Sequence, residues 1–318
     1  MARTTAYLYL VITMLLWSAA LVVARGVHET APPLALAFWR WLGAALAVAP
    51  FALSKLRSEF PATPGARFKV FGMCGLMVVA NTLAMVAMSY TTAINATVIN
   101  ATQPAVTALI GFAILAERIS WLQLLGIVAA FAGILVMAFQ ASLGALLLFS
   151  INSGDLIMLA AVCFWSCYAV ALHHGVRVPS PAVLLFLMAA LGTVGVLPLY
   201  VMETLSGRPF TASWQNISAA AFHAWGATLL ALYLWNAAIR SVGANRAAVF
   251  LNLIPVFGVA LAVGFLGERL FAYHLVGAGL VITGIFMAVG WSPALVQPLA
   301  EADHGQRHRD REQDAELL

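Results

Sequence analysis

The chain repeats itself about 150 residues on, and both copies are written in residues suited to hydrocarbon. Near the end of each copy a proline is followed thirteen residues later by Glu-Arg: Pro104 with Glu117-Arg118, and Pro255 with Glu268-Arg269. The offset of 151 recurs between Gly126 and Gly277 and between Gly133 and Gly284. Earlier in the copies it is 148, linking Trp17-Ser18 to Trp165-Ser166, Pro33 to Pro181 and Pro50 to Pro198. One loop that differs by three residues accounts for the change of register.

Apolar runs of about 20 residues suffice to cross roughly 30 Å of hydrocarbon at 1.5 Å per residue. Such runs predict ten helices, five per copy, near 6–25, 33–53, 69–89, 95–115 and 121–139, then 154–173, 181–202, 219–240, 244–266 and 273–291. The organisation expected is a first five-helix repeat over 1–140, a linker over 141–153, a second repeat over 154–292 and a solvated, disordered tail over 293–318. Five is odd, so the second repeat enters the membrane upside down relative to the first. The fold class is therefore all-α and integral to the membrane, two inverted repeats around a central cavity, an arrangement that suits alternating access.

Composition agrees. Hydrophobic residues make up 63% of the chain and charged residues 9%, against roughly 25% charged in a soluble domain. Cys74, Cys163 and Cys167 all fall in apolar stretches and imply neither disulfides nor a metal site. With an even number of spans both termini share a side. Arg3, Lys55, Arg57, Arg67, Lys69, Arg118, Arg177, Arg240 and Arg246 fall on that side, against Arg25, Arg208 and Arg269 on the other. The positive-inside rule then places both termini in the cytoplasm of a bacterial inner membrane. The net charge of +4 marks orientation, not nucleic-acid binding.

The stretches LLWSAALVVAR, FWRWLGAALAVAP, ATQPAVTALIGFAILAERIS, LNLIPVFGVALAVGFLGERL and GAGLVITGI resemble the drug/metabolite transporter superfamily, and within it the ten-helix EamA-type exporters. The resemblance implies a basket of two inverted bundles, with helices 1, 3, 4, 6, 8 and 9 around the cavity and helices 5 and 10 at the periphery.

Polar side chains are costly in hydrocarbon and face a cavity or another helix. Asn100, Gln103 and Thr107 form a stripe on the fourth expected helix, and Tyr233, Asn236 and Arg240 repeat the spacing on the eighth. Asn81, Asn245 and Asn252 add further amides. The set reads as a polar cavity, the alternative for each member being an interhelical hydrogen bond. Trp17, Trp165 and Tyr168 bring flat rings to mid-membrane, for stacking on a ligand or for packing. The candidate substrate-binding residues are thus Trp17, Asn81, Asn100, Gln103, Trp165, Tyr168, Tyr233, Asn236 and Asn252. Pro104 and Pro255 are candidate hinges near the midplane. Arg40, inside the second expected helix, is read as a structural clamp to carbonyls or a loop, with an anionic ligand as the competing role. Glu117 and Glu268 are read as capping or loop-packing residues. Gly126, Gly133, Gly277 and Gly284 are read as a packing face or a dimer surface.

These residues imply a transporter, not an enzyme, since the histidines at 28, 173, 174, 223 and 274 are scattered along helix ends without ligand spacing. The expected activity is export of small amphipathic metabolites, amino acids or related compounds first. An importer or exchanger of a flat vitamin or nucleotide derivative is the alternative, and a non-transporting scaffold is a third reading. No cofactor or metal is expected. The expected partners are a small-molecule substrate and the lipid bilayer, with a monomer or weak homodimer as the assembly. The acids Glu29, Glu117, Asp155, Glu203 and Glu268 lie at helix ends, and His223 near the start of the eighth expected helix. That placement favours facilitated diffusion or exchange over proton coupling.

Overall fold

A computed structural model describes residues 3–61, 63–115, 120–139, 152–173, 179–242, 247 and 250–289. All regular structure among them is helical: α1 (Arg3–Gly26), α2 (Pro33–Glu59), α3 (Pro64–Ala87), α4 (Ala93–Ala101), α5 (Gln103–Leu115) and α6 (Trp121–Ala138) in the first copy. The second copy holds α7 (Ser153–His173), α8 (Pro181–Leu205), α9 (Trp214–Ala221), a π-helix π1 (Phe222–Leu230), α10 (Ala231–Val242), α11 (Leu253–Leu266) and α12 (Ala272–Val289). Six helices are long and apolar enough to cross a membrane, counting α9, π1 and α10 as one, and the bent pair α4–α5 would make a seventh. Three shorter apolar helices lie at 121–137, 253–266 and 272–287. The chain is a multi-pass membrane protein. Glu117, the linker at 141–151 and the tail at 293–318 lie outside the described residues.

Local chemistry fixes the helix starts. Thr63, Thr92, Ser120 and Ser213 accept a hydrogen bond from the backbone N–H three residues on, satisfying a donor that the helix leaves free. Ser120 and Gln123 form a reciprocal capping box. Proline occupies the first turn of α2, α3 and α8, where its missing N–H costs nothing. Gly267, at φ +65°, ends α11 in the left-handed conformation that glycine adopts without steric penalty.

Both candidate hinge prolines begin a helix. The fourth expected helix is broken at Thr102, with a 43° bend between its halves, and Pro104 is the second residue after the break. Pro255 is the third residue of α11, just after a turn at Leu251-Asn252. The stripe of Asn100, Gln103 and Thr107 therefore straddles a bend and is not one continuous helical face.

A second departure concerns His223. The eighth expected helix begins five residues earlier than the apolar run suggests, at Trp214. The reason is local: Ser213 caps it, while Gln215 and Asn216 in its first turn lower the hydropathy. His223 is then nine residues in, about 14 Å along the axis and well inside the span. It does not lie at a helix end.

Helices α3, α7, the α4–α5 pair, α11, α1 and the α9–π1–α10 helix follow one another in contact, and the side-by-side pair α2 and α8 joins the two ends. α6 packs against α12 outside that succession. In lipid there is no hydrophobic drive between helices, so close approach and hydrogen bonds decide packing. A Cβ on Gly133 would lie 2.6 Å from Gly277 O, and one on Gly284 would meet Gly126 O and Ala130 N. The glycine faces are used within the chain, by α6 on α12. Gly192 presses on the Trp41 ring in the same way, seating the largest fully buried side chain between α2 and α8.

Candidate functional site

The two breaks are held by the two copies of the Trp-Ser motif. Ser18 Oγ on α1 shares its proton between Met14 O of its own helix at 2.7 Å and Ile254 O at 2.9 Å, the carbonyl immediately before Pro255. Ser166 Oγ on α7 is 3.4 Å from Gln103 O, the carbonyl immediately before Pro104. Each serine therefore reaches the break of the opposite copy. Both carbonyls lie in the first turn of the helix that starts at the break, so each hydroxyl ties a neighbouring helix to that start by a hydrogen bond between helices. Thr107 Oγ1 donates to Gln103 O as well, at 2.7 Å.

Beside the serines stand the rings. Trp17 packs on Trp235 of α10, with centroids 5.5 Å apart and planes at 49°. The Trp17 indole N–H donates to Ala227 O of π1 at 3.1 Å. Trp165 and Tyr168 form an edge-on pair at 5.7 Å. Trp235 is the ring that meets Trp17, and Tyr233, two residues earlier, is 63% exposed.

The amides divide into two groups. Asn81 Nδ2 donates to Met77 O at 2.9 Å and Asn236 Nδ2 to Leu232 O at 2.8 Å, each within its own helix. Asn236 lies on the exposed side of α10, away from the buried Leu234, Ala238 and Val242. The side chains of Asn100 and Gln103, both half-buried at the break, make no hydrogen bond to a described residue. Asn252 stands at the start of α11 and interacts within the structure. Asn245 and the Arg240 side chain lie outside the described residues.

Carboxylates lock one end of the bundle. Glu268 accepts from Ala93 N and Ile94 N at 2.8 and 3.0 Å, capping α4 from the end of α11. Glu203 accepts from Leu34 N and Ala35 N at 3.1 and 3.0 Å, capping α2 from the end of α8. Asp155 accepts from Thr91 Oγ1 and from Asn95 Nδ2, while Gly154 lets α7 press on the turn at Tyr90-Thr91. Arg25 donates to Met88 O at 2.9 Å, and Asn216 bonds Thr30. A carboxylate at a helix start takes free N–H groups and meets the positive end of the dipole.

Among the described residues the Arg40 side chain finds a hydrogen-bond partner in a hydroxyl of another helix. Its Nε donates to Thr228 Oγ1 of π1 at 3.0 Å. Sequence reasoning passed over Ser18, Ser166, Thr228 and Trp235 as site residues. For the serines a signal existed in the doubled Trp-Ser; for Thr228 and Trp235 there was none, because their partners lie about 190 and 220 residues away. No group of three or more metal-ligating side chains occurs among the described residues.

The EamA-like transporter family model matches residues 4–139 and 152–290. A Bacillus subtilis protein described as the uncharacterized transporter YyaM is 31% identical over 214 residues, 66% of this chain and 68% of that protein. A probable amino-acid metabolite efflux pump of Salmonella typhimurium is 28% identical over 305 residues, 91% of this chain and 96% of that protein. One solved crystal structure, 19% identical, aligns over 93% of this chain and 100% of its own with a TM-score of 0.59. That last likeness concerns the fold alone.

Proposed function

This chain belongs to the EamA-like transporter family, and from that premise we propose that it exports small amphipathic metabolites, amino acids or related compounds first, by alternating access. The moving parts are two inverted five-helix halves in a bacterial inner membrane, with both termini in the cytoplasm. The observation that carries this reading is the pair of crossed clasps. Ser18 holds the carbonyl before Pro255, and Ser166 reaches the carbonyl before Pro104. Equivalent residues making exchanged contacts are what a two-fold relation between halves requires, and broken helices at corresponding places mark a transporter's site. The contacts support it further: α1 on α11 mirrors α7 on α4–α5, and α1 on α10 mirrors α7 on α3.

Amino acids come first because a relative covering 91% of the chain carries the name of an amino-acid metabolite efflux pump. The aromatic pairs at Trp17–Trp235 and Trp165–Tyr168 favour, as a second reading, exchange of a flat metabolite such as a vitamin or nucleotide derivative. Transport runs by exchange or facilitated diffusion, with His223, now inside the span, as the first residue to test for proton coupling. Counterflow of an amino-acid panel in proteoliposomes tests the proposal. Accumulation of labelled amino acid against an unlabelled internal pool is expected; its absence for every member, with flat metabolites exchanged instead, would move the assignment to the second reading.

A further inference from the structure

Arg40 brings a guanidinium into the membrane without an anion to meet it. It stands seven residues into α2, about 10 Å along the axis, and His223 stands across from it at a similar depth in its own span. Gly43, one turn on, lets α2 approach π1 so closely that a Cβ there would lie 2.9 Å from the Ala224 methyl. At this contact Arg40 Nε holds Thr228 Oγ1, and that hydroxyl donates to His223 O at 2.8 Å. The guanidinium carbon lies 5.1 Å from the centroid of the Trp41 ring. Among the described residues Arg40 pairs with no carboxylate.

His223 is the second observation. It is 2% exposed, and both of its ring nitrogens are buried without a hydrogen-bond partner. Thr228 lies five residues on from His223, the hydrogen-bond spacing of a π-helix, and its hydroxyl ties the His223 carbonyl to the Arg40 contact. A π-helix widens the turn and often accompanies a functional site. An unpaired arginine in hydrocarbon is costly, and leaving a buried polar ring unmatched adds to that cost. One ligand relieves both.

We propose that Arg40, Thr228 and His223 form an intramembrane site for the carboxylate of the transported solute. The guanidinium offers two parallel donors to the two oxygens, a geometry that ammonium cannot match. The imidazole offers a further hydrogen bond, and Thr228 positions the guanidinium. Ala227, the neighbour of Thr228, carries the Trp17 indole on its carbonyl, and Trp17 packs at a tilt on Trp235. A solute held by its carboxylate thus has aromatic surface beside it. The choice of an amino acid rests on the export reading above; the site itself requires only a carboxylate.

The test is thermal unfolding of the purified full chain in detergent at matched ionic strength, with leucine, its decarboxylated amine isoamylamine, acetate and inorganic phosphate as probes. Leucine and acetate should raise the midpoint, and isoamylamine should not. Arg40→Gln should abolish the response. Should that variant fail to fold, Thr228→Val keeps the charge and should weaken acetate binding by about tenfold, the worth of one hydrogen bond to a charged group. Equal responses in wild type and Arg40→Gln, an unchanged affinity in Thr228→Val, no response of wild type to any carboxylate, or a response to phosphate alone would each overturn the proposal. Acetate binding lost in Arg40→Gln, with no amino acid exchanged in proteoliposomes, would keep the site and remove the export reading.

Discussion

Ser18 and Ser166 reach carbonyls before Pro255 and Pro104 at 2.9 and 3.4 Å, so the two copies agree at their breaks. At Arg40 they disagree: 148 residues on stands Met188, buried among apolar neighbours. The third helix of the first copy, α3, is α-helical throughout, whereas its counterpart in the second contains π1. The difference separates two jobs. Motion that exchanges the roles of two halves needs matched parts, and the clasps, breaks and glycine contacts are matched. A solute that is not itself symmetric needs unmatched parts, and Arg40 and π1 are the unmatched parts proposed to do that work.

The largest effects should come from the matched glycines between α6 and α12. Gly133→Val and Gly284→Val each push a branched side chain into a backbone and should cost about 1–3 kcal/mol, the usual range for overpacking. The comparison is sharpened if both lower the unfolding midpoint by similar amounts; a large loss in one and none in the other breaks it. Pro104→Ala and Pro255→Ala come next. Each gives back a backbone donor while leaving the fold intact, so expression should hold and turnover should slow severalfold. Wild-type rates in both variants would remove the hinge role.

Smaller still are the carboxylate caps, which are reciprocal. Glu203 serves the start of α2, and Glu59 at the end of α2 accepts from Ser180 N at the start of α8 at 2.7 Å. Glu203→Gln should cost about 1 kcal/mol for a charge at a helix start. Glu59→Gln should cost less, because Glu59 takes one N–H instead of two. Urea or thermal titration of both variants reads the order directly. Smallest of all, Ser18→Ala should lose more than Ser166→Ala, on the scale of about 0.6 kcal/mol for a hydrogen bond within the membrane. The shorter contact at Ser18 sets that order, and a reversed order in the same titration would count against it.

Much of this was legible in the chain. Proline, glycine and Trp-Ser pairs at constant offsets announce the two copies, because backbone breaks and close approaches require particular residue types. The break at Thr102 was foreseeable as a bend at Pro104, though the bend begins a new helix instead of kinking an old one. His223 was misplaced because hydropathy alone sets a boundary poorly where Ser213 caps a helix whose first turn is polar. That Trp235 meets Trp17, and that Thr228 is the Arg40 partner, depends on which face of one helix meets another. Periodicity within a single helix does not contain that information.

The division of labour between matched and unmatched parts is tested most directly by counterflow kinetics of one transported amino acid. The comparison sets the Ser18→Ala/Ser166→Ala double variant against Arg40→Gln in proteoliposomes. The account predicts a lower maximal rate at nearly unchanged KM for the serine pair, and a raised KM for Arg40→Gln together with loss of preference for the acid over its decarboxylated amine. A raised KM from the serine pair, with Arg40→Gln keeping both its KM and its preference, would contradict it.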